Sequence, residues 1–257
     1  MSEGHNNHNP LAQFEIFPLQ RIEVAGYDLS FTNSAMWMVV TVVAVITLLL
    51  SSSRRKSLIP SRLQSMGEML VEFVDTTMKE IAGKESVPYF PFIFTLFIFI
   101  LFSNLLGMIP YSFAVTSHIL VTFALAAIVF AGVTLIAIIK HGPLKFAHFF
   151  LPEGTPWWMA WLVIPIEIVS YLARPVSLSI RLAANMMAGH ITLKVLAGLV
   201  VAFGIVSSSL AANILGGVGI FLLLFLLTAF EFLIAVIQAY IFTLLACVYL
   251  NDALHLH

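Results

Sequence analysis

The stretch RPVSLSIRLAANMMAGH, residues 174 to 190, sets two arginines, an asparagine and a histidine inside one of the most apolar parts of the chain. A charged side chain near the centre of a bilayer costs on the order of 2.5–3.5 kcal/mol on insertion scales, so each one needs a task. On an α-helix seven residues fall just short of two turns. Glu167, Arg174 and Arg181 therefore share one stripe that drifts by about 20° per step. Asn185 stays close to that stripe, whereas His190 faces roughly the opposite way from Arg181. In the last apolar stretch Glu231 and Gln238 repeat the seven-residue spacing, and Thr228 adds a hydroxyl. Glu and His change protonation while Asn and Gln orient water, so such groups facing each other across two helices form a protonatable path. Two faces point to two paths.

Arg181 cannot carry a proton, because a guanidinium stays protonated at any relevant pH. What it offers is a fixed positive charge that makes a nearby carboxylate release its proton. Its own helix supplies no such carboxylate: Glu167 is about four turns, roughly 21 Å, away. Two readings stay open. Glu231 could be its structural ion-pair partner, or the carboxylate could come from another chain. Ala183, Ala184, Ala188 and Gly189 are small enough to admit a second helix closely, which favours the outside partner, although the same residues also suit internal packing. His190 could be an interhelical hydrogen bonder only. Arg174, about 10 Å nearer the cytoplasmic end than Arg181, could snorkel to the interface.

The elements that must position these residues follow from hydropathy. The chain has 257 residues, 60% hydrophobic and 10% charged, with a mean hydropathy of +1.02. That mix is an integral membrane protein, far from the roughly one-quarter charged content of soluble domains. Twelve basic against thirteen acidic residues give no basic surface for nucleic acid. Apolar spans fall near 34–52, 90–110, 118–139, 157–202 and 211–250. About 20 residues cross a bilayer, so the last two are too long to stand upright. They are expected to be long helices, strongly tilted, joined by a short polar link at GIVSSSLAAN.

Between the first two spans, residues 60–84 place Met66, Met69, Leu70, Phe73, Val74 and Met78 opposite Glu68, Glu72, Asp75 and Lys79. That spacing predicts an amphipathic helix on the membrane surface or against a neighbour. Residues 54–86 hold six of the twelve basic residues, and Lys140 and Lys145 follow the third span, which puts both loops on the cytoplasmic side, the N-terminus outside and the C-terminal NDALHLH inside. HGPLKFAHFFLPEGTPWW reads as a short re-entrant or interfacial hairpin, with Trp157, Trp158 and Trp161 as an aromatic belt and His141 and His148 as interfacial polar groups. Residues 1–30 read as a polar tail without the basic and apolar regions of a cleavable signal, and His5 and His8 in it are assigned no metal. Cys247 has no partner for an internal disulfide and reads as a packing residue. The expected fold is an all-α polytopic membrane protein, a single membrane domain of about five embedded helices plus an interfacial amphipathic helix. No metal or cofactor is expected.

SLSIRLAANMMAGH, followed after one long span by EFLIAVIQAYIFTLLACVYL, resembles subunit a of F-type ATP synthases, the stator of the membrane rotor. FSNLLGMIPYSF extends the likeness, which covers the chain from about residue 30 onward. The resemblance implies that Arg181 faces the proton-carrying carboxylate of a ring of c subunits. It further implies that Asn185, His190, Glu231 and Gln238 line a half-channel open to the outside, and that Glu167 and Ser170 lie near an inner half-channel, where Arg174 is also placed. The peripheral-stalk b subunits, the F1 head, membrane lipid and translocated protons are the other implied partners. The implied location is a bacterial inner membrane, or alternatively the mitochondrial inner membrane. Many bacterial relatives carry Glu where this chain has His190 and His where it has Glu231; the exchange keeps one acid and one base in a common cavity. LAANMM also stands where many relatives have Gly before the asparagine. The competing class is a self-contained proton-coupled secondary transporter, which would place its site between internal repeats, and the hydropathy pattern contains no inverted repeat. ATP chemistry on this chain is not expected.

Overall fold

The computed structural model describes residues 16–20, 23–24, 27–28, 30–53, 60–109, 112–143, 157–206 and 210–255. Among the described residues there are six α-helices: α1 (Asn33–Ser53), α2 (Arg62–Ala82), α3 (Phe90–Gly107), α4 (Ile119–His141), α5 (Ala160–Val206) and α6 (Leu210–Leu254). All except α2 are long and apolar enough to cross a membrane, so the protein is an all-α polytopic membrane protein. Ahead of α1 lie four short strands, β1 (Pro18–Gln20), β2 (Glu23–Val24), β3 (Tyr27–Asp28) and β4 (Phe31–Thr32), paired antiparallel as β1 with β4 and β2 with β3. The sequence reading contained no such strands; they are too short to show a period.

Local chemistry sets the helix ends. The Ser61 hydroxyl accepts from the Gln64 amide at 3.3 Å and caps α2. Gly83 and Gly142, at φ +69° and +83°, close α2 and α4 by returning their amides to the carbonyls of Lys79 and Ile138. Pro91 sits in the first turn of α3, where its missing N–H costs nothing.

α3 is apolar all round and is the most enclosed helix, with Ile93, Phe97, Ile98 and Ile100 buried in the core. Around it pack Val74 and Met78 of α2, Val129 and Val133 of α4, Leu178 and Leu182 of α5, and Phe242 and Leu250 of α6. Ala235, Ala239, Ala246 and Cys247 give α6 a buried small-residue surface that lets neighbouring backbones approach closely. Cys247 is a free thiol within that packing. α2 lies against α3 and α6: the Phe73 ring is 5.8 Å from Phe97 and 5.5 Å from Tyr240. Of its apolar stripe Val74 and Met78 are buried, whereas Met66 and Met69 remain exposed.

α5 and α6 have 47 and 45 residues. At 1.5 Å per residue each is about 70 Å long, against about 30 Å of hydrocarbon, so both must run strongly oblique. Pro165 and Pro175 lie within α5 without ending it. α5 extends to Val206 and α6 resumes at Leu210, so the link is shorter than GIVSSSLAAN: Ala211, Ala212 and Asn213 are already helical. Trp158 and Trp161 are largely exposed at the start of α5. The stretch 144–156, including Lys145 and His148, and residues 1–15, including His5 and His8, lie outside the described residues.

Candidate functional site

Because α5 and α6 run antiparallel, residues later in α5 meet residues earlier in α6. The Asn185 amide nitrogen donates to Gln238 Oε1 at 2.9 Å. Further along α5, His190 Nδ1 lies 3.9 Å from Glu231 Oε1. On an ideal helix Asn185 and His190 point about 140° apart, yet both reach α6. Gly189 explains the second contact. A Cβ there would lie 2.6 Å from Glu231 Oε1 and 3.0 Å from its Cδ, so the missing side chain is the space the carboxylate occupies. Glu231 and Gln238 are buried, 6% and 2% exposed. Among the described residues neither Glu231 oxygen accepts a hydrogen bond, so the carboxylate is held only through its proximity to His190. A weakly tied acid beside an imidazole can exchange protons with water or with a passing group.

Of these four groups His190 also faces a cavity. This cavity of about 820 Å³ is lined by His190, Lys194 and Thr228, by Ser112 and Phe113 after α3, and by Phe17, Asn33 and Trp37 from the N-terminal side. Phe17 and Asn33 are tied twice: the Asn33 amide donates to the Phe17 carbonyl at 3.2 Å, and the Phe17 amide to Asn33 Oδ1 at 3.3 Å. The N-terminal segment thus forms part of the cavity wall. Thr228 turns its hydroxyl to the Leu224 carbonyl, 2.8 Å away, while lining the same space.

Arg181 stands apart. It is exposed, and its guanidinium makes no hydrogen bond or ion pair among the described residues. Leu182, Ala183 and Met186 next to it are buried against the rest of the chain, so α5 packs with one face and presents Arg181 on another. The sequence left Glu231 open as its structural partner; the structure pairs Glu231 with His190 instead.

Arg174, by contrast, has an ion-pair partner. Its Nη1 donates to Asp252 Oδ2 at 2.9 Å, and its guanidinium lies 5.7 Å from the Tyr171 ring and 5.2 Å from that of Tyr249. Tyr171 and Thr134 share a hydrogen bond of 2.7 Å between their hydroxyls. Lys140 bonds Glu85 at 2.5 Å and, with His141, donates to the last carbonyl of α6 at Leu254, at 3.3 and 3.2 Å. Glu167 is half-buried and Ser170 exposed; the structure brings neither to a hydrogen-bond partner among the described residues.

Four residues that sequence reasoning did not single out for the site have clear positions in it. Asp252 holds Arg174, and the only hint was a lone acid just after an apolar span. Lys194 lines the cavity one turn beyond His190. Gly189 was read as a small packing residue, not as the seat of a carboxylate. Asn104, buried in FSNLLG, donates to the backbone carbonyl of Ala235 at 3.1 Å and accepts from Thr116 at 2.8 Å, which locks α3 to α6 one turn from Glu231.

A family model described as ATP synthase A chain matches residues 34–251. The chain is 51% identical over 250 residues to ATP synthase subunit a of Rhodospirillum rubrum, covering 97% of this chain and 100% of that protein. It is 49% identical to ATP synthase subunit a of Parvibaculum lavamentivorans, covering 96% and 94% of the two chains. The same protein of Mesorhizobium japonicum is 49% identical over 247 residues, 96% of each chain.

Proposed function

The chain belongs to the ATP synthase A chain family, and from that premise we propose that it forms two offset proton half-channels against a ring of c subunits, with Arg181 as the charge between them. Its setting is the membrane-embedded proton channel of the ATP synthase complex. The outer half-channel enters by the cavity at His190 and passes Glu231, Asn185 and Gln238; the inner one leaves past Glu167, Ser170 and Arg174. The proposed division of the single membrane domain is a tail over 1–30, an amphipathic helix over 60–84, and the proton path on 157–202 and 211–250. Peripheral-stalk b subunits and the F1 head complete the assembly.

A proton taken up from outside neutralises a ring carboxylate, which then travels through lipid and returns to lose its proton on the inner side. Arg181 keeps each arriving carboxylate ionised and blocks a direct leak between the half-channels. The transmembrane potential contributes about 2.3 kcal/mol per charge per 100 mV, and it drives rotation only if no bypass exists. The observation that carries this reading is the exposed guanidinium of Arg181, without an ion-pair partner among the described residues, beside polar groups that are paired internally. The proposed orientation, N-terminus outside and C-terminus inside a bacterial inner membrane, has support in the shared ends. Glu85, Lys140, His141 and Leu254 meet at one end, which carries the basic residue Lys140 expected on the inner side.

The test is proton-driven ATP synthesis and passive proton leak in vesicles carrying Arg181→Ala in an otherwise intact complex. Synthesis is expected to fall to background with normal assembly. Normal synthesis would make the arginine structural and sink the mechanism.

A further inference from the structure

Arg174 and Arg181 share one stripe of α5, about 10 Å apart along its axis, yet their surroundings are opposite. Arg181 is exposed with no ion-pair partner among the described residues. Arg174 has Asp252 at 2.9 Å and the faces of Tyr171 and Tyr249 on its flanks. A rotor carboxylate moving along this stripe would meet two fixed positive charges if both were free. Two free guanidiniums would offer two wells for one anion, and an ion held in the second would not be released for the next step.

We propose that Asp252 is a positioning residue that neutralises Arg174, so that Arg181 alone presents a coupling charge to the rotor carboxylate. This rests on the reading of Arg181 given above. Removing one member of a partly buried pair leaves the other uncompensated, and that asymmetry separates charge masking from a mere strut between α5 and α6. A strut fails equally whichever end is cut, and cutting both ends restores nothing. Masking fails chiefly when Asp252 is removed and is relieved when Arg174 goes as well.

The experiment is a double-mutant cycle of Asp252→Asn and Arg174→Gln in the intact complex, read as proton-driven ATP synthesis and ATP-driven proton pumping, with bound F1 as the measure of assembly. Asp252→Asn is expected to lower both rates about tenfold or more. Arg174→Gln should lose less, and the double variant should return to the rate of Arg174→Gln alone. If Asp252→Asn does not assemble, the double variant decides: assembly with the rate of Arg174→Gln upholds masking, and assembly without turnover overturns it. Equal single losses with no rescue overturn it too, as does an Asp252→Asn enzyme of normal rate. Arg181→Ala measured in the same vesicles keeps the failures distinct. Retained synthesis there removes the coupling-charge reading, whereas loss there without rescue in the cycle removes only the masking role.

Discussion

The two ends of this molecule treat charge in opposite ways. At the end bearing Glu85, Lys140, His141, Arg174 and Asp252, each of these side chains has a partner at hydrogen-bond distance, and the bonds tie α4, α5 and α6 together. At the cavity end Glu231 is buried with no hydrogen bond to either oxygen among the described residues, held only near His190 at 3.9 Å. A buried carboxylate beside an imidazole stands where a group can gain and lose a proton. Tight pairing builds a frame; loose pairing leaves a group free to react.

Cutting each kind of contact separates them. Glu231→Ala is expected to reduce proton-driven synthesis by about a hundredfold, the scale of a lost proton-transfer group, while the complex still assembles. Assembly failure with no intermediate activity would place Glu231 in the frame instead. Asn104→Ala breaks the buried link among α3, Thr116 and the Ala235 carbonyl. It should destabilise the subunit by about 1–3 kcal/mol, lowering the thermal midpoint and the amount of complex recovered, with the rate per assembled complex changed little. A normal midpoint would deny Asn104 its structural part. The mildest change is Gly189→Ala, which pushes a methyl into the seat of the Glu231 carboxylate, the flexible end of a side chain. Proton uptake should slow by about threefold through a displaced proton-transfer partner, measured as synthesis against outer pH, with assembly intact. No change in rate would mean that the seat is irrelevant to the exchange.

What could be read from the chain follows the range of the contacts. Five membrane spans were legible because 20-residue apolar runs have few other uses. The polar residues of α5 and α6 were legible because lipid makes every one of them expensive. The partner of Arg174 was not, since Asp252 lies 78 residues away and nothing local marks its return to α5. The pairing of His190 with Glu231 is of the same kind: helix periodicity placed each on a face, but only packing against Gly189 brought the faces together. In α3 the apolar residues run all round the helix, so no stripe could announce that Asn104 would turn inward. The paired strands at 18–32 escaped notice because two or three residues per strand carry no alternation.

The great length of α5 turns it into a ramp. A helix about 70 Å long laid across about 30 Å of hydrocarbon descends only about 0.6 Å per residue, against 1.5 Å for an upright one. The nine residues from Arg181 to His190 then differ by about 6 Å in depth but by about 12 Å sideways. The imidazole at His190 and the fixed charge at Arg181 are thus set apart mostly in the plane of the membrane, side by side on the slope and not stacked one above the other.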